Sequence, residues 1–379
     1  MKKHFLLLTL ALVAILLVSC APTEMTPIEE GEKEETKEPI KIGILGPMTG
    51  DVANYGQGIA AASELAAEEI NAQGGINGRM LKLIIEDGLC NPKDTTNAVN
   101  KLVNIDEVPV IIGGMCSSET LAAAPIAEGK TVVISPGSSN PEITFAGDYI
   151  FRDFPSDSIH GKASAEFAYD VLGAKKVAVA YCLSDFCVGI QEVFKESFAE
   201  MGGEIVATEA FEQSSKDMRT ELTKIKNAEP DLIYFVGYTD STITFLQQTK
   251  ELGIDVPRLG VETWSDPKIL EEVKEQAEGI FYSIPFVPAA EEFEAKMKEK
   301  TGKPDVTLGS HHAYDAINIV ADIMKRVGAD AEDIKNELYN VKDYPGVSGT
   351  IGFDENGDLE SAEYTLKIIE NGEAIDYEE

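Results

Sequence analysis

Val108-Pro-Val-Ile-Ile-Gly-Gly-Met-Cys-Ser-Ser-Glu-Thr120 is the stretch on which the fold turns. Val110-Ile111-Ile112 reads as a buried strand, too short and too β-branched for a helix. Gly113-Gly114 allows a sharp turn, and Cys116-Ser117-Ser118-Glu119 has the polar character of a helix start, continued by Leu121-Ala-Ala-Ala124. A strand that runs into a helix in this way leaves unpaired backbone N–H groups at its carboxyl end. With the helix dipole and two hydroxyls, those donors form an anion site suited to a carboxylate. The simpler role for Ser117 and Ser118 is to cap the helix.

The same alternation extends in both directions. Upstream, Lys41-Ile-Gly-Ile-Leu45 reads as a strand and Gly46-Pro-Met-Thr-Gly50 as a turn. Ala60 to Asn71 reads as an amphipathic helix and Leu81 to Ile85 as the next strand. Strand, helix, strand at this spacing is a βαβ unit and predicts a parallel sheet. Gly43, Gly46 and Gly50 lack the G-x-G-x-x-G spacing, and Pro47 occupies the phosphate turn, so a dinucleotide site is excluded. Downstream, Asn91-Pro92 opens a helix with Asn as cap and Pro at its first position. Strands and helices then alternate as far as a strand at Gly279–Ile284. Three successive helices after that break the rhythm, as if the chain returned to a lobe it had left.

The length of 379 residues favours two domains over one core. A net charge of −34 argues against nucleic acid or an anionic membrane surface as partner. The chain opens Met1-Lys-Lys-His4 and continues with an apolar run from Phe5 to Val18, too short for a span of about 20 residues. The run ends in Leu17-Val-Ser-Cys20, which resembles the lipobox of bacterial lipoproteins. That resemblance implies cleavage of a signal peptide, residues 1–19, and acylation of Cys20. Residues 20–39, rich in Glu, Thr and Pro, read as an acidic disordered tether.

Several segments together are similar to one known family. They are Lys41-Ile-Gly-Ile-Leu-Gly-Pro-Met-Thr-Gly50, Glu69-Ile-Asn-Ala-Gln-Gly-Gly-Ile-Asn-Gly-Arg79, Asp87-Gly-Leu-Cys-Asn-Pro-Lys-Asp94, Ile112-Gly-Gly-Met-Cys-Ser-Ser118, Pro136-Gly-Ser-Ser-Asn-Pro141 and Phe151-Arg-Asp-Phe-Pro-Ser-Asp157. The combination resembles the extracytoplasmic branched-chain amino-acid-binding proteins of ABC importers, across residues 40–379. The resemblance implies an α/β fold of two Rossmann-like lobes joined by three hinge crossings, here near Ser158, Pro285 and Gly346. The first lobe would comprise 40–157 and 286–347, the second 158–285 and 348–379. It further implies an exported, lipid-anchored monomer that binds a small amino acid and passes it to permease subunits. A sensory protein of the same fold is the alternative.

Carried over residue by residue, the resemblance puts Ser117 on the ligand carboxylate. It puts Gly137 and Ser139 between carboxylate and ammonium, and Glu262, expected at a strand end, on the ammonium. Tyr55 and Tyr238 become walls of the cleft. A buried zwitterion requires both of its charges to be matched, which this set does. Phe186 stands where the family often has Tyr, making that wall more apolar, while its neighbour Asp185 offers a charge to a polar side chain. Trp264, two residues beyond Glu262, is expected at the cleft mouth.

Cys20 aside, four cysteines remain, and four permit three pairings. The resemblance implies Cys90 with Cys116, which leaves Cys182 and Cys187 either bridged or as free thiols. His311-His312 has no partner at ligand spacing, so neither a metal nor a cofactor is expected. No G-x-S-x-G, H-E-x-x-H, C-x-x-C or P-loop occurs, and nothing in the sequence puts His160 beside Ser117 as a base. An enzyme is therefore not expected.

Overall fold

The alternation becomes two sheets in a computed structural model that describes residues 37–303 and 305–377. The expected signal peptide, Cys20 and the expected tether up to residue 36 lie outside the described residues. The first sheet contains β1 (Ile40–Gly46), β2 (Leu81–Asp87), β3 (Val110–Gly113), β4 (Val132–Ser135) and β5 (Ile150–Arg152), in the order β2-β1-β3-β4-β5. Every pairing in it is parallel. All four residues of both β3 and β4 are buried, as expected for strands with helices on both faces.

The second sheet holds β6 (Lys176–Cys182), β7 (Glu204–Phe211), β8 (Leu232–Val236), β9 (Arg258–Gly260) and β10 (Phe281–Pro285). Two late strands, β13 (Tyr364–Glu370) and β14 (Glu373–Asp376), complete the order β14-β13-β10-β9-β8-β6-β7. Here β13 joins β10 antiparallel, so the tail does return to the second lobe. A hairpin of β11 (Tyr344–Gly346) and β12 (Gly349–Ile351) stands apart from both sheets. Among the described residues no helix is long and apolar enough to cross a membrane.

Two boundaries differ from expectation in ways that affect the cleft. The first helix starts at Ala53, not Ala60, which brings Tyr55 onto its first turn. The strand expected to end at Glu262 stops at Gly260, and Glu262–Ser265 forms a short 3-10 turn. The late segment also changes lobes further on than Gly346. Phe353 packs edge-on to Phe151 with ring centroids 5.4 Å apart. Asp358 pairs with Arg152, and Lys342 binds Glu360. On these contacts we place the third crossing within residues 361–363, just before β13.

Candidate functional site

Loops at the carboxyl ends of parallel strands converge between the lobes, where open α/β sheets bind ligands. The turn after β3 needs its glycines. Gly113 has φ +145°, and a Cβ there would come 2.1 Å from the carbonyl oxygen of Leu45. The carbonyl of Gly114 accepts hydrogen bonds from Ser135 Oγ at 2.6 Å and Ser138 Oγ at 2.7 Å. Those bonds tie this turn to the Pro136–Pro141 loop.

Neither serine caps the helix Ser117–Ala127. Its N-cap is Cys116, and Ser117 and Ser118 are its first two residues. Ser117 Oγ accepts the backbone N–H groups of Ser139 at 3.3 Å and Asn140 at 3.2 Å. With its acceptor capacity used, the hydroxyl has its proton left to donate. Ser118 Oγ donates to Cys90 O at 3.2 Å, away from that role. The loop is itself braced by buried Arg152. This guanidinium forms a two-pronged pair with Asp358, both contacts 2.7 Å, and donates to the carbonyls of Ser139 and Asn140.

Cys90 and Cys116 are bridged, with Cα atoms 5.4 Å apart, joining the loops after β2 and β3. Glu119 reinforces the strap: its carboxylate accepts the N–H groups of Cys90 and Cys116, both at 3.1 Å. Burial pushes this carboxyl up to about 7, against the pull of those N–H groups. Cys182 and Cys187 also form a bridge rather than free thiols, at the start of the helix Asp185–Glu200.

A narrow cavity between the lobes is lined by Tyr55, Ser117, Gly137, Phe186, Tyr238 and Glu262, together with Met115, Cys116, Thr263 and Leu308. Glu262 is the one charged side chain among the lining residues. Six of the seven residues singled out from the sequence thus meet in one cavity. Ser139 is close by, but its hydroxyl turns away and donates to Asp157 Oδ2 at 3.0 Å. Asp185 has an exposed side chain outside the lining, and its carbonyl accepts from Asn140. The Phe186 wall is therefore apolar, and Phe186 packs against Tyr238 with centroids 5.7 Å apart.

The lobes touch across the cleft. Thr239 gives its only hydroxyl proton to Asp266 at 2.7 Å, so Tyr55 is the donor in its 2.9 Å contact with Thr239 Oγ1. That leaves the ring of Tyr55, rather than its hydroxyl, for a ligand. Asn54 also reaches Asp266, at 2.6 Å.

Trp264 is not at the mouth. It is 2 % exposed and packed near Phe235 and Phe245 in the second lobe's core. In the tight turn Glu262 and Thr263 face the cavity, so Trp264 is carried to the opposite side. Asp157 and His160, both buried near the cavity, and the half-buried Leu308 that lines it were given no ligand role from the sequence. Glu119 did carry a signal, since an acid at the third helical position is the capping-box spacing. Among the described residues no cluster of His, Cys, Asp or Glu is arranged to hold a metal ion.

Comparison with known proteins agrees with this fold. Residues 39–373 match the family model described as periplasmic binding protein. A leucine-, isoleucine-, valine-, threonine- and alanine-binding protein of Pseudomonas aeruginosa is 31 % identical, the alignment covering 86 % of this chain and 89 % of that protein. The crystal structure of a leucine-binding protein from Thermotoga maritima superposes with a TM-score of 0.83 at 29 % identity, covering 89 % of this chain and 98 % of that one. A branched-chain amino acid transporter substrate-binding protein from Streptococcus pneumoniae, solved with isoleucine, gives 0.81 at 28 %, covering 89 % and 97 %. The chain belongs to the periplasmic binding protein family, whose members bind transporter substrates rather than transform them.

Proposed function

We propose that the protein captures one small aliphatic amino acid between its lobes and delivers it to the permease of an ABC importer. A lipid on Cys20 would hold it at the outer face of the membrane. The observation that carries this reading is the polarity of the cavity. One end offers the Ser117 hydroxyl and the first-turn N–H groups of a helix, suited to a carboxylate. The other offers the buried carboxylate of Glu262, suited to an ammonium group. Between them Tyr55, Met115, Phe186, Tyr238 and Leu308 offer surface to an apolar side chain. The relatives named above for branched-chain amino acids support the same substrate class.

Calorimetry of residues 20–379 with leucine, isoleucine, valine and alanine tests the reading. The expected result is saturation at one molecule per chain, with the ligand recovered unchanged by mass spectrometry. Binding confined to sugars or phosphates, or conversion of the amino acid, would overturn it.

A further inference from the structure

Behind Glu262, on the side away from the cavity, lies a buried polar cluster that the binding geometry above does not use. His160, on the helix Asp157–Glu166, is 1 % exposed. Its Nδ1 lies 3.2 Å from Glu262 Oε2, and its Nε2 lies 2.7 Å from Ser283 Oγ on β10. Ser283 Oγ is in turn 2.8 Å from Ser164 Oγ, one turn along from His160. The ring of Tyr364, the first residue of β13, stacks on the imidazole with centroids 4.4 Å apart. Asp157 is also buried here, and burial together with the facing Glu262 holds its carboxyl well above the usual carboxylate range.

The proton assignments follow from what each atom can do. Glu262 Oε2 is buried and has no aligned hydrogen bond among the described residues, and an ionised oxygen in that position needs a donor. Nδ1 of His160, 3.2 Å away, is the facing ring nitrogen and, carrying the proton, presents a positive dipole to that oxygen, off the line of an ideal hydrogen bond. Nε2 then accepts from Ser283, and Ser283 accepts from Ser164, so every contact in the chain has one proton and one acceptor. The ring is clamped on one edge by a hydroxyl and on one face by Tyr364, so it cannot turn away. We propose that His160 is a positioning residue for ligand binding: its Nδ1–H fixes the Glu262 carboxylate in the orientation that receives the ligand's ammonium group. The proposal rests on the reading of Glu262 as the ammonium partner.

The test compares leucine with 4-methylpentanoate, the same molecule without its amino group, by competition against labelled leucine. His160→Ala is expected to lower leucine affinity about ten-fold, as for loss of a bond to a charged group, and to leave 4-methylpentanoate within about two-fold. Asn places an N–H where Nδ1 was, whereas Gln places one where Nε2 was. His160→Asn should therefore recover most of the leucine affinity and His160→Gln should not. Ser283→Ala should narrow the preference for leucine in the same direction, and by less, keeping the test open should His160→Ala fold poorly. Equal loss for both ligands, equal rescue by Asn and Gln, or wild-type affinity in His160→Ala would overturn the proposal. Glu262→Gln run in parallel separates the two claims. If it leaves the preference for leucine intact, the ammonium assignment falls and the role of His160 falls with it. If it removes the preference while the His160 variants keep it, only the role of His160 is lost.

Discussion

On the proposed function, the Ser117 side of the cavity and the Glu262 side solve opposite problems by different means. At the first, neutral groups are pooled: a hydroxyl, helix N–H groups and a loop whose own N–H groups hold that hydroxyl in place. At the second, one buried carboxylate stands alone among the lining residues. A negative ligand group can share several dipoles, so losing one costs a fraction of the attraction. A positive group that depends on a single charge loses its whole counter-charge with one substitution. Glu119 fits the same contrast: burial raises its carboxyl to about 7, which works against a full negative charge behind the Ser117 side.

The contrast is broken most directly at Glu262. Glu262→Ala should weaken leucine binding by about 3–5 kcal/mol, the range for leaving a buried charge without its partner. Calorimetry on the folded variant measures it, and wild-type affinity would place the ammonium elsewhere. Glu119 comes next. Its carboxyl is raised in the folded protein from an ordinary 4.5 to about 7, so the native state holds the extra proton between those values. Its contribution to stability is fully present below about pH 4.5 and is lost as pH rises through about 7, amounting to roughly 3 kcal/mol. Urea midpoints across that window should fall for the wild type and stay flatter for Glu119→Gln. A wild type as flat as the variant would mean that Glu119 is ionised throughout.

Ser117→Ala should cost about 1.5 kcal/mol of binding, the low end for a bond to a charged group, because the neighbouring donors remain. A loss matching that of Glu262→Ala would dissolve the contrast between the two ends. The two disulfides offer a finer comparison, the cysteines being 26 positions apart in one and 5 in the other. On loop entropy alone the longer should stabilise by about 1.3 kcal/mol more, readable in the melting of single-bridge variants. Removing Cys90–Cys116 should also weaken binding, since it releases the Ser117 loop, whereas removing Cys182–Cys187 should chiefly affect the second lobe. The smallest effect is none: saturating leucine should leave Trp264 emission unshifted, because the indole is already dry.

Much of this was legible because parallel strands repeat one pattern. A β-branched run, a glycine turn and a polar helix start place their loop residues at a sheet's carboxyl edge, so Ser117 could be read from the pattern, while Gly137 came from the resemblance. Glu262 was legible through its resemblance to a family pattern, though the strand expected to hold it ends two residues earlier. What could not be read depends on rotation and on distance along the chain. A short 3-10 turn decides that Glu262 and Thr263 face the cavity while Trp264 faces the core. His160 meets Glu262 only because separate segments of the second lobe fold against each other, and no local spacing records that. The serines could be read either as caps or as ligand donors, because both roles draw on one residue type. The choice between them rests on the backbone angle at Cys116.

Trp264 has one more use. As the only tryptophan in the chain, and packed against Phe235 and Phe245, its emission reports the core of the second lobe and nothing else. Far-ultraviolet circular dichroism, by contrast, averages over helices in both lobes. In a denaturant titration the two signals should coincide if three short crossings suffice to make unfolding a single cooperative event. If they separate, the gap measures how much of the molecule's cooperativity comes from contact across the cleft. On the proposed function, in which both lobes bind the ligand and neither does alone, adding leucine should draw the two transitions back together.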